Sequence, residues 1–545
     1  MGAFTYLVGF VDIATGMSRS WRPRLDLLSE LVPGAMEAAS AATVVSGILL
    51  LLLAHALRRR KRRAWWAAMA LLALSVVLHA VKLEFLVVAM SVALLIALIA
   101  YRAQFRALGD PQTRWRAVRV FLVLGAVSLA VGVLMVTLLR HQVVGGPPSL
   151  GGIVQEVLSG LVGLDGPLTY RHNRATDLAG SVLLGLGLMT ALTTTYLALR
   201  PPEQLRQLTD ADEAAMRSLL QRSPDSLGYF NLRRDKSVIW SDSGKAAIAY
   251  RVVSGVMLAS GDPIGDPEAW PGAITNFLAE AEQHAWTPAV IGCSEQAGHT
   301  WCRATGFSAL ELGDEAVVDV AGFSLDGRPM RNVRQMVKRI ERSGYTTEVM
   351  RAGSVSEGER WRALVDADAW RGTETERGFS MALGRLVDPV DPDCVFVVAR
   401  QDGVMRGFLQ FVPWGPDGMS LDVMRRDRTA DAGVNELLIV DALRSCPQLG
   451  VNRVSLNFAA FRSTLERGER LGAGPFLRGW RRVLLFASRW FQIESLYRFN
   501  AKFQPIWVPR FVVYPATRDL PRIAVAALEA EAFLTWPSLR RFSGA

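Results

Sequence analysis

The chain has 545 residues, of which 50% are hydrophobic and 21% are charged, and this length is too great for a single domain. Residues 1–200 contain 19 Lys and Arg against 9 Asp and Glu, whereas residues 201–545 contain 42 of each. The net charge of +10 therefore belongs to the N-terminal part, which excludes a nucleic-acid footprint spread over the whole chain. The four cysteines form no CxxC pair, which favours reduced thiols in a cytosolic compartment and predicts no metal site.

The first 200 residues are predicted to form a helical membrane domain. Residues 1–35 contain one short apolar stretch, which we assign to an interfacial or partial membrane segment. Longer apolar runs follow within residues 36–200, and each is close to the roughly 20 residues that a transmembrane helix needs. The five predicted spans are 36–57, 64–81, 83–101, 118–139 and 178–199.

Basic loops set the predicted orientation of this domain. Residues 58–63 are all Lys or Arg, and five further arginines lie between residues 102 and 119. The positive-inside rule places both loops in the cytoplasm, so a multi-pass plasma-membrane protein would carry residues 200–545 on its cytoplasmic side. We expect His79 and Glu84, near span ends, to reach toward the interface, and we expect no chain of buried carboxylates here.

Residues 201–545 alternate helical and strand patterns twice in the same order. The first copy, 205–327, is predicted to contain a helix, a three-stranded meander, a loop, a helix and two strands. The second copy, 346–540, repeats this order, and its meander turns at Asp402-Gly403. The order predicts a multi-domain chain in which a transmembrane helical bundle precedes a duplicated α+β fold of the acetyltransferase (GNAT) kind.

A basic helix is predicted between the two copies, at residues 328–345. Its cations recur every three or four residues and therefore share one face. Two interpretations remain open, a solvated helix and a phosphate-binding face for tRNA or for lipid headgroups. The residues of that face are Arg331, Arg334, Lys338 and Arg342.

Polar residues concentrate in three runs that otherwise resemble buried core: LDVMRR (421–426), SLNFAAFR (455–462) and RFNAKFQPIWVPR (498–510). Buried polar groups are costly without partners, so these runs predict a site. The chain has no GxSxG, HExxH or Walker motif, and histidine is scarce in this part. The turn at 425–433 lacks the glycine-rich pattern of a coenzyme A enzyme. The chemistry that remains is positioning and electrostatics.

The polar residues of these runs suggest three roles. Asp422 could hold an ammonium group or help to remove a proton from the attacking group. The cations could neutralise phosphate or a developing oxyanion, and the amides could orient an ester carbonyl. The cations are Arg425, Arg426, Arg498 and Lys502, and the amides are Asn457 and Asn500. For each residue taken alone, a buried ion pair or a capping amide is the alternative.

The three runs, together with GDPIGDP (261–267) and ERGFSM (376–381), resemble the synthase domain of aminoacyl-phosphatidylglycerol synthases, or phosphatidylglycerol lysyltransferases. The resemblance covers about residues 205–540. It implies transfer of an amino acid, with lysine as the first choice, from aminoacyl-tRNA to a glycerol hydroxyl of phosphatidylglycerol. It implies no cofactor, and the product would alter membrane charge and resistance to cationic antimicrobial peptides.

The resemblance also ranks the candidate residues. The predicted catalytic residues are Asp422, Arg425, Arg498 and Lys502. The predicted substrate-binding residues are Glu376, Arg426, Asn457, Arg462, Asn500 and Arg510. Two other functions remain open, a coenzyme A-dependent N-acyltransferase and a non-catalytic membrane lipid transporter or scaffold.

Overall fold

The structure is a computed structural model that describes residues 2–17, 35–58, 62–81, 84–102, 111–199, 207–372, 378–460 and 493–534. The chain divides into two compact units. We call Met1–Glu203 the helical unit, and Gln204–Ala281 with Trp286–Ala545 the sheet unit. The predicted site residues Glu376 and Arg462 lie outside the described residues.

The described part of the helical unit consists mainly of α-helices. They are α1 Gly2–Met17, α2 Ala35–Arg58, α3 Arg62–Val81, α4 Phe85–Ala100, α5 Pro111–Leu138, α6 Leu150–Leu161 and α7 Asn173–Leu199. Helices α1, α2, α3 and α4 share one apolar cluster, and helices α5, α6 and α7 share a second. Helix α6 was not predicted, although Ser149 after Pro147-Pro148 caps it by accepting the Gly152 N–H at 3.1 Å.

All five apolar runs that we predicted as spans are helical. Among the described residues, two segments are long and apolar enough to cross a membrane, Val118–Leu138 in α5 and Thr176–Thr195 in α7. The apolar parts of the other helices are shorter, so five spans are not established by length and composition.

The expectation for His79 is wrong. Its side chain is fully buried and contacts Asp12 of α1 and Glu84 at the start of α4. Asp12 is also fully buried, so the helical unit does contain a buried carboxylate joined to further titratable groups. The contact with Asp12 was not predicted because Asp12 is 67 residues from His79 along the chain.

The described part of the sheet unit contains one 12-stranded sheet. Its strands are β1 Ser237–Trp240, β2 Ala246–Val253, β3 Val256–Ser260, β4 Ile264–Gly265, β5 Thr287–Cys293, β6 Ser308–Asp319, β7 Tyr345–Arg351, β8 Val395–Gln401, β9 Val404–Trp414, β10 Gly418–Arg426, β11 Arg453–Ala460 and β12 Ile506–Tyr514. Their spatial order is β1-β2-β3-β5-β12-β6-β11-β10-β9-β8-β7, and β4 pairs with β2.

Helices cover the sheet. They are α8 Asp210–Leu220, α9 Trp270–His284, α10 Glu295–Thr305, α11 Arg331–Arg342, α12 Glu357–Arg371, α13 Val434–Leu449, α14 Ile493–Ala501 and α15 Leu520–Ala530. On the strands of the second copy, α11 and α13 pack on one face, whereas α12 and, from the first copy, α8 pack on the other. Burial on both faces explains why strands such as β8 are continuous apolar runs rather than alternating ones.

The duplication that the sequence predicts is present in the sheet. Each copy has an antiparallel meander followed by a parallel pair, β3 with β5 in the first copy and β10 with β11 in the second. The copies exchange their last strands, because β12 of the second lies between β5 and β6 of the first. Strand β6 in turn pairs with β11. The copies are therefore separate in sequence but continuous in one sheet.

Candidate functional site

The parallel strands of the second copy separate after three residue pairs. Strands β10 and β11 are in register from Gly418↔Arg453 to Ser420↔Ser455. Beyond that point β10 has an irregularity between Leu421 and Val423, and β11 has one between Ser455 and Phe458. Such bulges change the direction in which side chains point, and they occur often beside active sites. This opening, which we call the second-copy split, is the candidate site.

Asp422 lies at the bulge of β10. Its carboxylate accepts hydrogen bonds from the Leu383 N–H at 2.8 Å and from Gln410 Nε2 at 2.6 Å. Gln410 is buried and also donates to the Arg385 carbonyl at 2.9 Å and accepts the Val387 N–H at 2.6 Å. Asp422 and Gln410 therefore tie residues 383–387 to strands β9 and β10.

Residues 378–387, which we call the crossing segment, are anchored from three directions. Arg233 of the first copy donates to the Gly378 carbonyl at 2.6 Å. Arg385 donates to the Leu232 carbonyl at 2.9 Å and pairs with Glu213 at 3.0 Å. Glu531, after α15, accepts the backbone N–H groups of Phe379 and Ser380. The last four residues of the ERGFSM run, Gly378 to Met381, thus begin a segment that joins both copies beside Asp422.

The buried carboxylate of Asp391 fixes the far end of this segment. It pairs with Arg385 and with Arg217, and it accepts the Tyr229 hydroxyl at 2.8 Å. Burial alone would raise the pKa of Asp391, but hydrogen bonds from Arg385 and Arg217 outweigh it and hold the pKa below its ordinary value. We did not predict this ion-pair group, or Gln410, from the sequence. The signal for Gln410 was an amide inside the apolar run FLQFV.

Arg425 and Arg426 lie on opposite faces of β10. In the register with β9, Arg426 lies opposite Gly407, on the face that α13 covers. Its guanidinium donates to the Ala430 carbonyl at 3.0 Å. In the same register, Arg425 lies opposite Phe408. The Phe408 ring belongs to the core on the other face of the sheet, where the crossing segment also packs. The Arg425 guanidinium is half-buried and has no hydrogen-bond partner within the described ranges. Asp422 and Arg425 therefore share one face of the second-copy split.

The remaining predicted residues of the split come from β11 and α14. Asn457 has φ of 82°, a conformation that Asn tolerates better than most residues, and its Oδ1 accepts the Phe458 N–H. Asn500 is buried and donates to the Leu456 carbonyl at 3.2 Å, which fastens α14 to β11. Lys502 pairs at 2.7 Å with Glu436, in the first turn of α13. Arg498 is exposed. The structure thus brings Asp422, Arg425 and Asn457 to the split, and attaches Lys502 to the helix on the other face.

Arg510 belongs to a buried ion-pair network between the copies. Its guanidinium, 4% exposed, pairs with Asp225 at 2.7 Å and with Glu315 at 2.5 Å. It also donates to the Ser226 hydroxyl at 2.6 Å, and Glu315 accepts the Ser455 hydroxyl. Because these acceptors all belong to the protein, Arg510 is better suited to join β12 to the first copy than to contact a substrate.

The parallel pair of the first copy is closed rather than open. Strands β3 and β5 stay in register over five residue pairs, from Val256↔Thr287 to Ser260↔Ile291. Just beyond, the Asp262 carboxylate accepts the Ser294 N–H at 2.7 Å and the Ser294 hydroxyl at 2.6 Å. Burial raises the pKa of Asp262 to about 7, and the neighbouring Asp225 carboxylate adds to the rise.

In the described ranges, the loops that follow β10 and β3 are poorly suited to bind the diphosphate of coenzyme A. In the second copy, the N–H of Thr429 is bound by the Asp427 side chain at 2.8 Å, and the N–H of Asp431 donates to the Tyr345 hydroxyl. In the first copy, Asp262 and Asp266 lie in a loop whose prolines lack an N–H. Acidic side chains and occupied N–H groups oppose anion binding. Within the described ranges, no group of three His, Cys, Asp or Glu could hold a metal ion.

The basic helix α11 is amphipathic, with Val333, Val337 and Ile340 packed against the core. Arg334 is half-buried and donates to the carbonyls of Leu325 and Gly327 in the preceding loop. The remaining predicted cations of this face, Arg331, Lys338 and Arg342, are exposed. Three of the four predicted cations are therefore exposed, and the fourth, Arg334, holds the preceding loop.

Comparison with known proteins decides the family. The family model for the C-terminal part of phosphatidylglycerol lysyltransferase matches residues 217–514, more than half of the chain. The chain belongs to this family. A second model, for the transmembrane region of lysyl-tRNA synthetase, matches residues 1–199. The resemblance drawn from the three polar runs is confirmed, and the N-terminal part is of a membrane-associated type.

Curated relatives of the family extend beyond this chain. A lysylphosphatidylglycerol biosynthesis bifunctional protein LysX from Rhodococcus jostii (strain RHA1) is 45% identical over 462 residues, covering 82% of this chain and 40% of the relative. The protein of the same name from Nocardia farcinica is 53% identical over 359 residues, covering 65% and 32%. The chain thus spans two fifths or less of the length of these relatives.

Solved structures show the same fold. The structure of L-PGS from Bacillus licheniformis superposes with a TM-score of 0.52 at 21% identity, covering 61% of this chain and 98% of that one. The C-terminal DUF2156 domain from Agrobacterium fabrum superposes with a TM-score of 0.51 at 23% identity, covering 60% and 100%. With the meander and parallel pair of each copy, these matches confirm the predicted tandem acetyltransferase-like fold.

Proposed function

We propose that this chain transfers the lysyl group of lysyl-tRNA to a glycerol hydroxyl of phosphatidylglycerol. The observation that carries the proposal is the second-copy split, where Asp422 and Arg425 share one face in a chain of the lysyltransferase family. A half-buried guanidinium that the described protein leaves without a hydrogen-bond partner suits an anionic ligand or a developing oxyanion. Named relatives that make lysylphosphatidylglycerol support the choice of lysine.

The reaction exchanges one ester for another. The lipid hydroxyl oxygen attacks the carbonyl carbon of the aminoacyl ester and forms the new C–O bond. The bond to the tRNA ribose oxygen breaks, and that oxygen receives the proton that the lipid hydroxyl loses. Because one ester bond is broken and another is formed, the step needs no separate energy source. It needs placement of both substrates and stabilisation of the oxyanion.

We assign separate parts of this step to the two residues of the split. Arg425 stabilises the oxyanion or the adjacent phosphate. Asp422 holds the crossing segment through the Leu383 N–H, and its carboxylate supplies the acceptor for the donor ammonium or the attacking hydroxyl. Arg498, Lys502 and the exposed cations of α11 contribute positive charge for tRNA or lipid phosphate.

The helical unit would hold the enzyme at its lipid substrate as a multi-pass anchor in the plasma membrane. The match to a transmembrane region over residues 1–199 and the two long apolar helices support this placement. The basic loops favour a cytoplasmic sheet unit, on the side where charged tRNA occurs. Lysylation replaces a net negative headgroup with a net positive one, which would weaken the attraction of cationic antimicrobial peptides.

The test is lipid analysis of a host that lacks such lipids and expresses the full chain together with a lysyl-tRNA supply. We expect a ninhydrin-positive lipid with the mass of lysylphosphatidylglycerol, and its loss when the tRNA pool is uncharged. A coenzyme A-dependent product, or redistribution of lipid without a new species, would favour the alternatives. Correctly inserted protein that forms no aminoacylated lipid contradicts the proposal.

A further inference from the structure

A polar cluster lies inside the helical unit, away from the candidate site of the sheet unit. The imidazole of His79 on α3 contacts Asp12 of α1 through Nε2 at 3.0 Å and Glu84 through Nδ1 at 2.6 Å. The Ser75 hydroxyl, one turn earlier on α3, lies 3.1 Å from Asp12 Oδ2 and 3.4 Å from the hydroxyl of Ser91 on α4. Three helices thus meet at one set of polar side chains.

Burial within this cluster is graded. The side chains of Asp12 and His79 are fully buried, whereas that of Glu84 is 31% exposed. Within the described ranges, the charged groups that the structure places against His79 are these two carboxylates. A buried carboxylate without a basic partner costs several kcal/mol, so Asp12 depends on the imidazole.

The geometry also fixes how many protons the three groups share. An imidazole that faces a carboxylate oxygen through each nitrogen needs a proton in each of the two hydrogen bonds. The two protons can both reside on the ring, or one can reside on the ring and the other on either carboxyl group. These arrangements have the same net charge, and passing between them moves a proton from Glu84 to Asp12 without creating a new charge.

The helix contact beside Asp12 is unusually close. A Cβ added to Gly47 of α2 would lie 2.7 Å from the Gly9 carbonyl oxygen and 2.9 Å from the Asp12 Cβ. Ser46, next to Gly47, has a buried hydroxyl with no hydrogen-bond partner in the part of the chain that the structure describes. Asp12 therefore lies at a close contact between α1 and α2.

We propose that Glu84, His79 and Asp12 form a proton relay in the helical unit, in which the half-exposed Glu84 exchanges protons with water and His79 passes them to Asp12. The relay gives the interior carboxylate access to the aqueous surface through one side chain. Ser75 orients the carboxylate of Asp12 and is a positioning residue. This role is separate from the proposed lysyl transfer, because every residue of the relay belongs to the helical unit.

The first test uses the full chain in lipid nanodiscs and infrared spectra recorded in H2O and D2O between pH about 5 and about 8, where imidazole relays titrate. We expect a carboxylic-acid carbonyl band that shifts in D2O, disappears in Asp12→Asn and persists in Asp177→Asn. Asp177 is an exposed acid of α7 and provides the matched substitution. Because Asp262 of the sheet unit also binds a proton below pH about 7, the spectra of the wild type and of Asp12→Asn are compared directly. Equal carboxylic-acid absorption in the two spectra throughout this range overturns the relay.

The second test guards against failure of Asp12→Asn to fold. Glu84→Gln alters the half-exposed end, where a neutral isostere is best tolerated, and incorporation into nanodiscs with the circular dichroism spectrum of the wild type shows that the variant inserts and folds. We expect the carboxylic-acid band of Glu84→Gln to persist but to exchange its proton for deuterium more slowly than the wild type. Equal exchange rates would show that the proton reaches Asp12 by another route, which also overturns the relay.

Discussion

The two copies of the sheet unit share a topology but differ where their parallel strands end. In the first copy, β3 and β5 stay paired, and Asp262 and Ser294 close the end by hydrogen bonding to each other. In the second copy, β10 and β11 separate after three pairs and leave Asp422 and Arg425 in the split. One copy is closed by its own side chains, and the other is open.

This difference shows why a count of polar residues does not locate a site. The first copy contributes buried charges such as Asp225 and Glu315, but Arg510 of the second copy neutralises them. Arg425 has no such partner among the described residues. In this duplicated fold, the buried charges of the closed copy form ion pairs that join the two copies. In the open copy, the Arg425 guanidinium can interact with a ligand.

The largest expected effect concerns the closed copy. Arg510→Met leaves two buried carboxylates without their cation, and breaking a buried pair in this way costs about 3–5 kcal/mol. We expect a clear fall in the melting temperature of the full chain in detergent, followed by tryptophan fluorescence. Arg518→Met, at an exposed arginine beyond β12, should change stability by less than about 0.5 kcal/mol. An unchanged melting temperature with lost activity would instead place Arg510 in the substrate site.

The next effect concerns the open copy. Arg425→Ala removes the guanidinium that we assign to the oxyanion or phosphate, and loss of one such donor slows a reaction about 10²–10³-fold. We expect this loss in the rate of lipid lysylation, with little change in melting temperature because the side chain holds no described protein partner. Arg444→Ala, at a half-exposed arginine of α13, is the control and should retain activity. Equal losses of lysylation rate in Arg425→Ala and Arg444→Ala would contradict the assignment of Arg425 to the reacting groups.

Gln410 tests whether the crossing segment positions Asp422. Gln410→Leu keeps a similar volume but leaves the Val387 N–H, the Arg385 carbonyl and Asp422 without this partner. We expect a loss of about 1–3 kcal/mol in the free energy of unfolding, together with a slower lysylation rate. Gln401→Leu, at the half-buried end of β8, is the matched control. Full activity in Gln410→Leu would show that the segment does not set the position of Asp422.

The smallest effect is the pH dependence of the closed end. Folding raises the pKa of Asp262 to about 7, from an ordinary value of 3.8, so the folded state binds this proton more tightly than the unfolded state. Stability must then fall as pH rises from about 4 to about 7. We expect the wild type to lose about 1–2 kcal/mol more than Asp262→Asn between pH about 6 and about 8, measured by urea unfolding. Asp266→Asn, in the exposed part of the same loop, should retain the wild-type slope.

The local elements of the sheet unit could be read from the sequence. The strands of the first meander were predicted with the bounds that the structure has, because their apolar runs end at turns that local residues dictate. The three polar runs likewise indicated the family, because the residues within each run are consecutive in the chain. Strand β12 was not predicted, because Pro509 within it argues against a central strand, and the structure accommodates it beside an irregularity.

By itself, the sequence determined the bounds of the first meander, that the fold is duplicated and which family the chain belongs to, whereas α6 and β12 were not predicted from it. The tertiary structure decided which copy is open, that β12 crosses to the first copy, and that Arg425 and Arg426 lie on opposite faces. It also decided that His79 joins Asp12 and Glu84. The physical reason is that side-chain periodicity and turn chemistry are local, whereas strand pairing, burial and charge neutralisation depend on residues hundreds of positions apart.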